Sequence, residues 1–186
     1  MRDFDVRQAL TASLKATHAS DPGTLIREEL GLEHGQVFVD VAVINGELHG
    51  YELKSERDTL DRLPRQVEAY SAVLDRATLV VGARHVQQAL GLIPAWWGVK
   101  TATTQRDGSV KLRPLRKGRR NPQQQLSALV RLLWRDEALA LLETLGAAKG
   151  LRSRPRKMLY ERLVEQVPAE ALRADVRRLL KAREDW

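Results

Sequence analysis

The chain has 186 residues, of which 43% are hydrophobic, and this length and composition suit a soluble globular protein of one domain with a buried core. It contains no cysteine, which excludes disulfides, thiolate zinc sites and iron–sulfur clusters. No apolar run approaches the ~20 residues that span a bilayer, and the N-terminus lacks the apolar segment of a signal peptide, so we expect a cytoplasmic protein without a membrane partner.

Charge is distributed unevenly along the chain. The formal total of +7 divides into −3 over residues 1–110 and +10 over residues 111–186. A basic surface attracts polyanions and releases their counterions on binding, although basic segments also occur simply as solvated surface. The distribution therefore favours a nucleic-acid partner without establishing one.

The N-terminal elements are predicted to be helical. Apolar residues near helical spacing from Phe4 to Leu14 indicate an amphipathic helix over residues 2–17. Residues 19–23 (ASDPG) break it, and Thr24 can cap a short second helix over residues 25–32.

Two neighbouring strands are predicted next. Val37 to Ile44 is apolar at odd and at most even positions, which is typical of a strand covered on both faces, and Asp40 is the exception. Asn45-Gly46 indicates a turn, and a second strand follows from Leu48 to Ser55. This second strand carries Glu52 and Lys54, two residues apart and therefore on one face.

The loop between these strands decides whether Asp40 and Glu52 meet. A two-residue turn at Asn45-Gly46 would put them on opposite faces, because side chains alternate along a strand. A three-residue loop, with Gly46 in the left-handed conformation, would put them on the same face. We therefore expect a three-residue loop or a bulge.

The remaining chain first alternates and then becomes helical. Pro64 begins a helix to about Leu74, and a strand, a helix and two strands follow at residues 77–82, 85–92, 96–104 and 110–115. After Asn121-Pro122, helices are predicted at residues 122–135, 136–145, 155–167 and 169–183. The pattern predicts an α/β fold with a mixed central sheet flanked by helices over residues 1–120, and a basic all-helical region over residues 121–186.

Two carboxylates and a lysine around one cleft suit metal-assisted phosphodiester hydrolysis. Asp40, Glu52 and the main-chain carbonyl of Leu53 are predicted to bind Mg²⁺, for which Mn²⁺ can substitute, and Lys54 to orient the attacking water or offset charge. The alternative is an exposed Glu52–Lys54 salt bridge on an edge strand. A carboxylate in a doubly covered strand is costly without a partner or a metal, which favours the active site.

The arrangement of Asp40, Glu52-Leu53-Lys54 and a following Gln66-x-x-x-Tyr70 resembles the PD-(D/E)xK nuclease superfamily and its RecB-like branch. The resemblance covers roughly residues 24–104, with Val39 at the position of the superfamily's proline. It implies a restriction-endonuclease-like core and a Mg²⁺-dependent nuclease. In such a nuclease Gln66 would approach the catalytic residues or the nucleic acid, and Tyr70 would support the same face.

The same resemblance implies a further carboxylate ligand from the element before the first strand, for which Glu29 is preferred over Glu28. Taken without the resemblance, Glu28 and Glu29 suit a solvated pair, Tyr70 a core aromatic and Gln66 a surface residue.

Two basic clusters are candidates for phosphate contacts. They comprise Lys111, Arg113, Arg116, Lys117, Arg119 and Arg120 in the first and Arg152, Arg154, Arg156 and Lys157 in the second. Solvated surface is an equal alternative for both. Three of the four tryptophans, Trp96, Trp97 and Trp134, are predicted to lie in the core.

These observations predict a metal-dependent hydrolase that cleaves DNA in repair, restriction or phage defence. A homodimer is compatible with the sequence and would be needed to cut both strands in one encounter. Two other functions stay open: a non-catalytic DNA-binding protein with a nuclease-like fold, and a structural α/β domain.

Overall fold

A computed structural model describes all 186 residues and shows a mixed α/β fold around a six-stranded sheet. The strands lie side by side in chain order: β1 (Leu25–Leu32), β2 (Val37–Ile44), β3 (Leu48–Lys54), β4 (Arg76–Gly82), β5 (Gly98–Thr104) and β6 (Val110–Arg116). The pairs β3–β4 and β4–β5 are parallel, and the other three pairs are antiparallel. The predicted mixed sheet is confirmed.

Seven helices accompany the sheet: α1 (Asp3–Thr17), α2 (Leu63–Val73), α3 (Val86–Leu92), α4 (Leu126–Leu129), α5 (Arg135–Thr144), α6 (Arg156–Gln166) and α7 (Ala169–Lys181). Each is too short or too polar to form a membrane span. The long helix predicted over residues 122–135 is wrong, since only α4 and a 3₁₀ turn form there. Side chains and backbone of residues 121–125 instead bond to carbonyls at the end of α2.

The helix predicted over residues 25–32 is also wrong, because this segment forms strand β1. Its composition, LIREELGL, permits a helix, but the backbone groups of β2 pair with those of β1 from Leu25 to Leu32, except at Glu29. Glu29 adopts a positive φ of 56° within β1, which an uninterrupted helix would not allow.

The loop between β2 and β3 has three residues, as a shared face for Asp40 and Glu52 required. The register pairs Ile44 with Leu48 and Val41 with Tyr51, so that Asn45–Glu47 form the loop. Gly46 does not take the predicted left-handed conformation. The loop is closed instead by Asn45, which bonds Glu47 through its backbone at 3.1 Å and its side-chain oxygen at 3.0 Å.

Both faces of the sheet are covered. A core of 36 buried residues includes side chains from the sheet and from α5, α6 and α7, and a smaller core of nine lies between the sheet and α1. Val41 and Val43 of β2 belong to the smaller core, whereas Val37 and Val39, of the same parity, belong to the larger one. The strand therefore exchanges faces at Asp40.

The C-terminal helices share the larger core with the sheet, and the division predicted at residue 120 stays a prediction. Trp96 and Trp97 are buried as expected. Trp134 is 49% exposed, so its predicted place in the core is wrong, because it precedes α5 as the N-cap residue at the surface.

Candidate carboxylate site

The predicted site residues converge on one cleft. Asp40, Glu52, Leu53, Lys54 and Gln66 all line it, at the ends of β2 and β3 and the start of α2. The three-residue loop and the exchange of faces in β2 bring these side chains together across two adjacent strands.

Glu52 lies at the centre of a buried hydrogen-bond network. It is 1% exposed, and its Oε1 accepts a bond of 2.6 Å from the ammonium of Lys54, which also donates to Gln66 Oε1 at 3.0 Å. The Tyr70 hydroxyl lies 2.6 Å from Glu52 Oε2 and 3.0 Å from the carbonyl oxygen of Phe38. The alternative of an exposed Glu52–Lys54 salt bridge on an edge strand is therefore wrong, since both are buried and β3 is interior.

Tyr70 serves as a hydrogen-bond donor in this network. Burial, and then the nearby carboxylates of Glu52 and Asp40, raise the pKa of its hydroxyl well above the ordinary value. The hydroxyl therefore stays protonated and can hold Glu52 in place.

Asp40 lies where β2 and β3 separate. Its Oδ2 accepts the amide of Leu53 at 2.7 Å, and Arg7 donates to its Oδ1 at 3.2 Å and to its main-chain carbonyl at 2.7 Å. Burial and the neighbouring charge of Glu52 raise the pKa of Asp40 to about 7, against the opposing effects of the Leu53 amide, Arg7 and Lys54. The ionised form of Asp40 is therefore disfavoured in the metal-free site.

Arg7 was not predicted from the sequence as part of this site. Its guanidinium also forms a salt bridge of 3.2 Å with Glu29 and a hydrogen bond of 3.4 Å with Asp3. One signal was available, since Arg7 falls one helical turn before Leu10 in α1, on the side of the helix that is buried.

Glu29 and Glu28 differ in their relation to the cleft. Glu29 lines it, whereas Glu28 does not, and both reach Arg7, at 3.2 and 3.9 Å. Glu29 nevertheless does not complete a cluster with Asp40 and Glu52, since no three His, Cys, Asp or Glu side chains form a group that could hold a metal ion. The oxygen donors that the strands place together are those of Asp40 and Glu52.

The predicted nucleic-acid-binding residues differ in their exposure and in their partners within the protein. Lys111 and Arg113 are exposed on β6, the edge of the sheet opposite β1. Several others have partners within the protein: Arg116 with the carbonyls of Trp97 and Pro94, Arg119 with that of Ala95, Arg120 with Glu170, Arg152 with Glu143, and Lys157 with Glu161. Lys117 and Arg154 are exposed without such a bond, and Arg156 lines a separate groove.

Comparison with known proteins identifies the family. Residues 2–185 match the bacteriophage P4 protein cII family. The chain belongs to this family. Protein cII of Enterobacteria phage P4 is 25% identical over 119 residues, which are 64% of this chain and 44% of that protein. The chain thus spans less than half the length of this curated cII protein, and no solved structure matches it.

Membership of the cII family overturns the resemblance to the PD-(D/E)xK superfamily and its RecB-like branch. That resemblance depended on five common residue types spread over 31 positions, from Asp40 to Tyr70, and so few fixed positions arise readily in unrelated chains. The chemistry of this cleft therefore depends on its own geometry.

Proposed function

We propose that this cII-family protein is a metal-dependent nuclease that hydrolyses DNA phosphodiester bonds. The observation that carries the proposal is the crowding of two carboxylates, the buried Glu52 and the half-buried Asp40, beside Lys54 in an open cleft. Desolvation, and then the neighbouring charge of Glu52, raise the pKa of Asp40 to about 7, and a bound cation would stabilise its ionised form.

The donor set fits a hard divalent cation. Asp40 and Glu52 supply carboxylate oxygens, and the main-chain carbonyl of Leu53 between Glu52 and Lys54 is the third candidate donor. Mg²⁺ is commonly held through only one or two carboxylates and keeps several waters, and Mn²⁺ accepts the same donors. Such an ion would polarise the phosphate and lower the pKa of a bound water.

The protein's own side chains have separate roles in this proposal. The Lys54 ammonium, held by Glu52 and Gln66, would offset the charge that develops on the phosphate oxygens. Tyr70 holds Glu52 in position from the buried side. Arg7 partly neutralises Asp40 in the free protein and would have to yield an Asp40 oxygen to the cation.

The two parts of the chain would have different roles in this function. Residues 1–120 would act as a nuclease-like core and residues 121–186 as a basic extension that contacts DNA. The total of +10 from residue 111 onward divides into +6 over residues 111–120 and +4 over residues 121–186. The protein would act in the cytoplasm, and as a homodimer if it cuts both strands in one encounter.

A second function is supported by the same contacts, namely DNA binding without catalysis. Both Glu52 oxygens already have partners in Lys54 and Tyr70, and both Asp40 oxygens have partners in Leu53 and Arg7. A cleft whose carboxylates are satisfied by the protein itself would need no metal.

Cleavage assays separate the two functions. Labelled single- and double-stranded DNA would be incubated with the wild type, Lys54→Ala, the double variant Asp40→Asn/Glu52→Gln and the control Asp61→Asn, in Mg²⁺, Mn²⁺ or EDTA. Asp61 is exposed and forms no hydrogen bond or salt bridge, which makes its replacement a matched loss of one carboxylate. We expect cleavage by the wild type and the control in metal, and at least about 100-fold slower cleavage by Lys54→Ala.

The two functions predict different results in this assay. Cleavage retained in the folded double variant would contradict the mechanism. DNA binding that is steeply salt-dependent, indifferent to Mg²⁺ and unaccompanied by cleavage would favour the second function.

A further inference from the structure

A groove rich in arginine adjoins the carboxylate cleft. Phe38 and Glu29 line both, so the two depressions lie side by side. The charged lining of the groove consists of five arginines, Arg27, Arg131, Arg135, Arg156 and Arg183, against the single carboxylate of Glu29. An acidic cleft that could hold a cation thus opens onto a basic groove that could hold an anion.

Three of these arginines form no hydrogen bond or salt bridge within the protein, although Arg27 lies over the ring of Trp186, 4.9 Å from its centroid. Arg183 bonds both carboxylate oxygens of Glu137 at 2.6 Å, and Arg135 donates to main-chain carbonyls. Arg27, Arg131 and Arg156, by contrast, donate no side-chain hydrogen bond and form no salt bridge, and the Nε atom of Arg27 is buried without a partner. Their charge is available to a ligand.

Arg131 and Arg156 both act electrostatically on His34, which also lines the groove. After burial, these two arginines are the causes that lower the pKa of His34, which lies in the turn between β1 and β2. The His34 ring stacks on Tyr160 of α6 with 6.4 Å between centroids and 17° between planes. Two free guanidinium groups beside a neutral ring pair suit a phosphate and its neighbouring base.

Phe38 lies at the junction of groove and cleft. It is 45% exposed, although it is an aromatic residue in a strand whose other apolar side chains are buried. It precedes Asp40 by two residues, so a base stacked on it would place its backbone near the carboxylates. Exposed aromatic faces bind unpaired bases irrespective of sequence, whereas the bases of a duplex are already stacked.

We propose that this groove binds single-stranded nucleic acid, with phosphates on Arg131 and Arg156 and a base on Phe38, and guides the strand to the cleft. Binding in the groove is inferred from these contacts alone. Only the delivery of the strand to Asp40 and Glu52 for cleavage rests on the proposed nuclease function.

Fluorescence anisotropy tests the groove without cleavage. A labelled oligothymidylate and a duplex of mixed sequence would be titrated in EDTA at several salt concentrations. Arg131→Ala/Arg156→Ala should weaken single-strand binding at least about tenfold and reduce the slope of log affinity against log salt by about 1.4, for two phosphate contacts. Lys15→Ala/Arg106→Ala is the control, because it removes two exposed charges that form no hydrogen bond or salt bridge and that lie outside the groove and the cleft.

The aromatic contact has its own pair of variants. Phe38→Ala should weaken single-strand binding roughly 5- to 150-fold and leave duplex binding nearly unchanged. Phe4→Ala, which removes an exposed ring on α1 outside the groove, should change neither. Urea midpoints equal to that of the wild type would show that the variants are folded.

Three results would overturn the inference: no single-strand binding at low salt, tighter binding of the duplex, or an equal loss of affinity in the Lys15/Arg106 control. If only the nuclease proposal is wrong, the result is different: the protein binds single strands through the groove but cleaves none in Mg²⁺ or Mn²⁺.

Discussion

Replacing Asp40 with asparagine should stabilise the metal-free protein at pH 8. Its carboxyl group has a pKa of about 7 in the fold and an ordinary value of 3.8, a difference of about 3 units. At ~1.36 kcal/mol per unit this corresponds to an upper limit of about 4 kcal/mol against the ionised form. Asp40 is 19% exposed, and the asparagine would lose the ion pair with Arg7, so we expect about 1–2 kcal/mol.

The sign follows from proton binding. Between about pH 4 and pH 7 the unfolded chain has released the Asp40 proton and the folded protein has retained it, so raising the pH favours unfolding. The contribution of Asp40 to the free energy of unfolding therefore falls across this window and is constant above it. The asparagine variant lacks this titration.

Urea unfolding in EDTA at pH 5, 6, 7 and 8 measures the effect. The stability of Asp40→Asn relative to wild type should increase from pH 5 to pH 8, whereas Asp61→Asn should follow the wild type at every pH. A constant difference between Asp40→Asn and wild type would refute the reasoning. Added Mg²⁺ at pH 8 should stabilise the wild type and leave Asp40→Asn unchanged, if the cleft binds the cation.

Two further predictions concern groups that support the site and the sheet. Tyr70→Phe should lower the free energy of unfolding by about 1–3 kcal/mol, because it leaves a buried oxygen of Glu52 without a donor, whereas Tyr51→Phe loses only a 3.4 Å contact and should cost less in the same urea assay. Gly98→Ala should destabilise by about 1–3 kcal/mol, because its Cβ would lie 2.7 Å from a neighbouring hydroxyl oxygen. Gly46→Ala, with nothing within 4 Å, should leave the midpoint of thermal unfolding unchanged.

The sequence alone determined most elements and one point of their geometry. Apolar periodicity located α1, α2, α5, α6, α7 and strands β2 to β6, because burial on one or two faces repeats with the period of each element. The shared parity of Asp40 and Glu52 required a three-residue loop between β2 and β3, and the register has it. Asp40 also interrupts an otherwise apolar strand. Because burying an isolated carboxylate is costly, this interruption indicated a functional position.

Residue order did not identify the family. The spacing of Asp40, Glu52, Lys54, Gln66 and Tyr70 resembled a nuclease signature, and the match over residues 2–185 assigned the chain to the cII family instead. The convergence of these five residues is a property of the folded chain.

Only the tertiary structure decided the rest. The segment LIREELGL became β1 because the free edge of β2 offered it a partner, and local propensity carries no information about that edge. Arg7 reached Asp40 across 33 positions, and Arg131 and Arg156 reached the turn at His34 across about a hundred. Such contacts are set by how helices pack on a sheet, which depends on the whole core, whereas the periodicity of a sequence reports only which face of each element is buried.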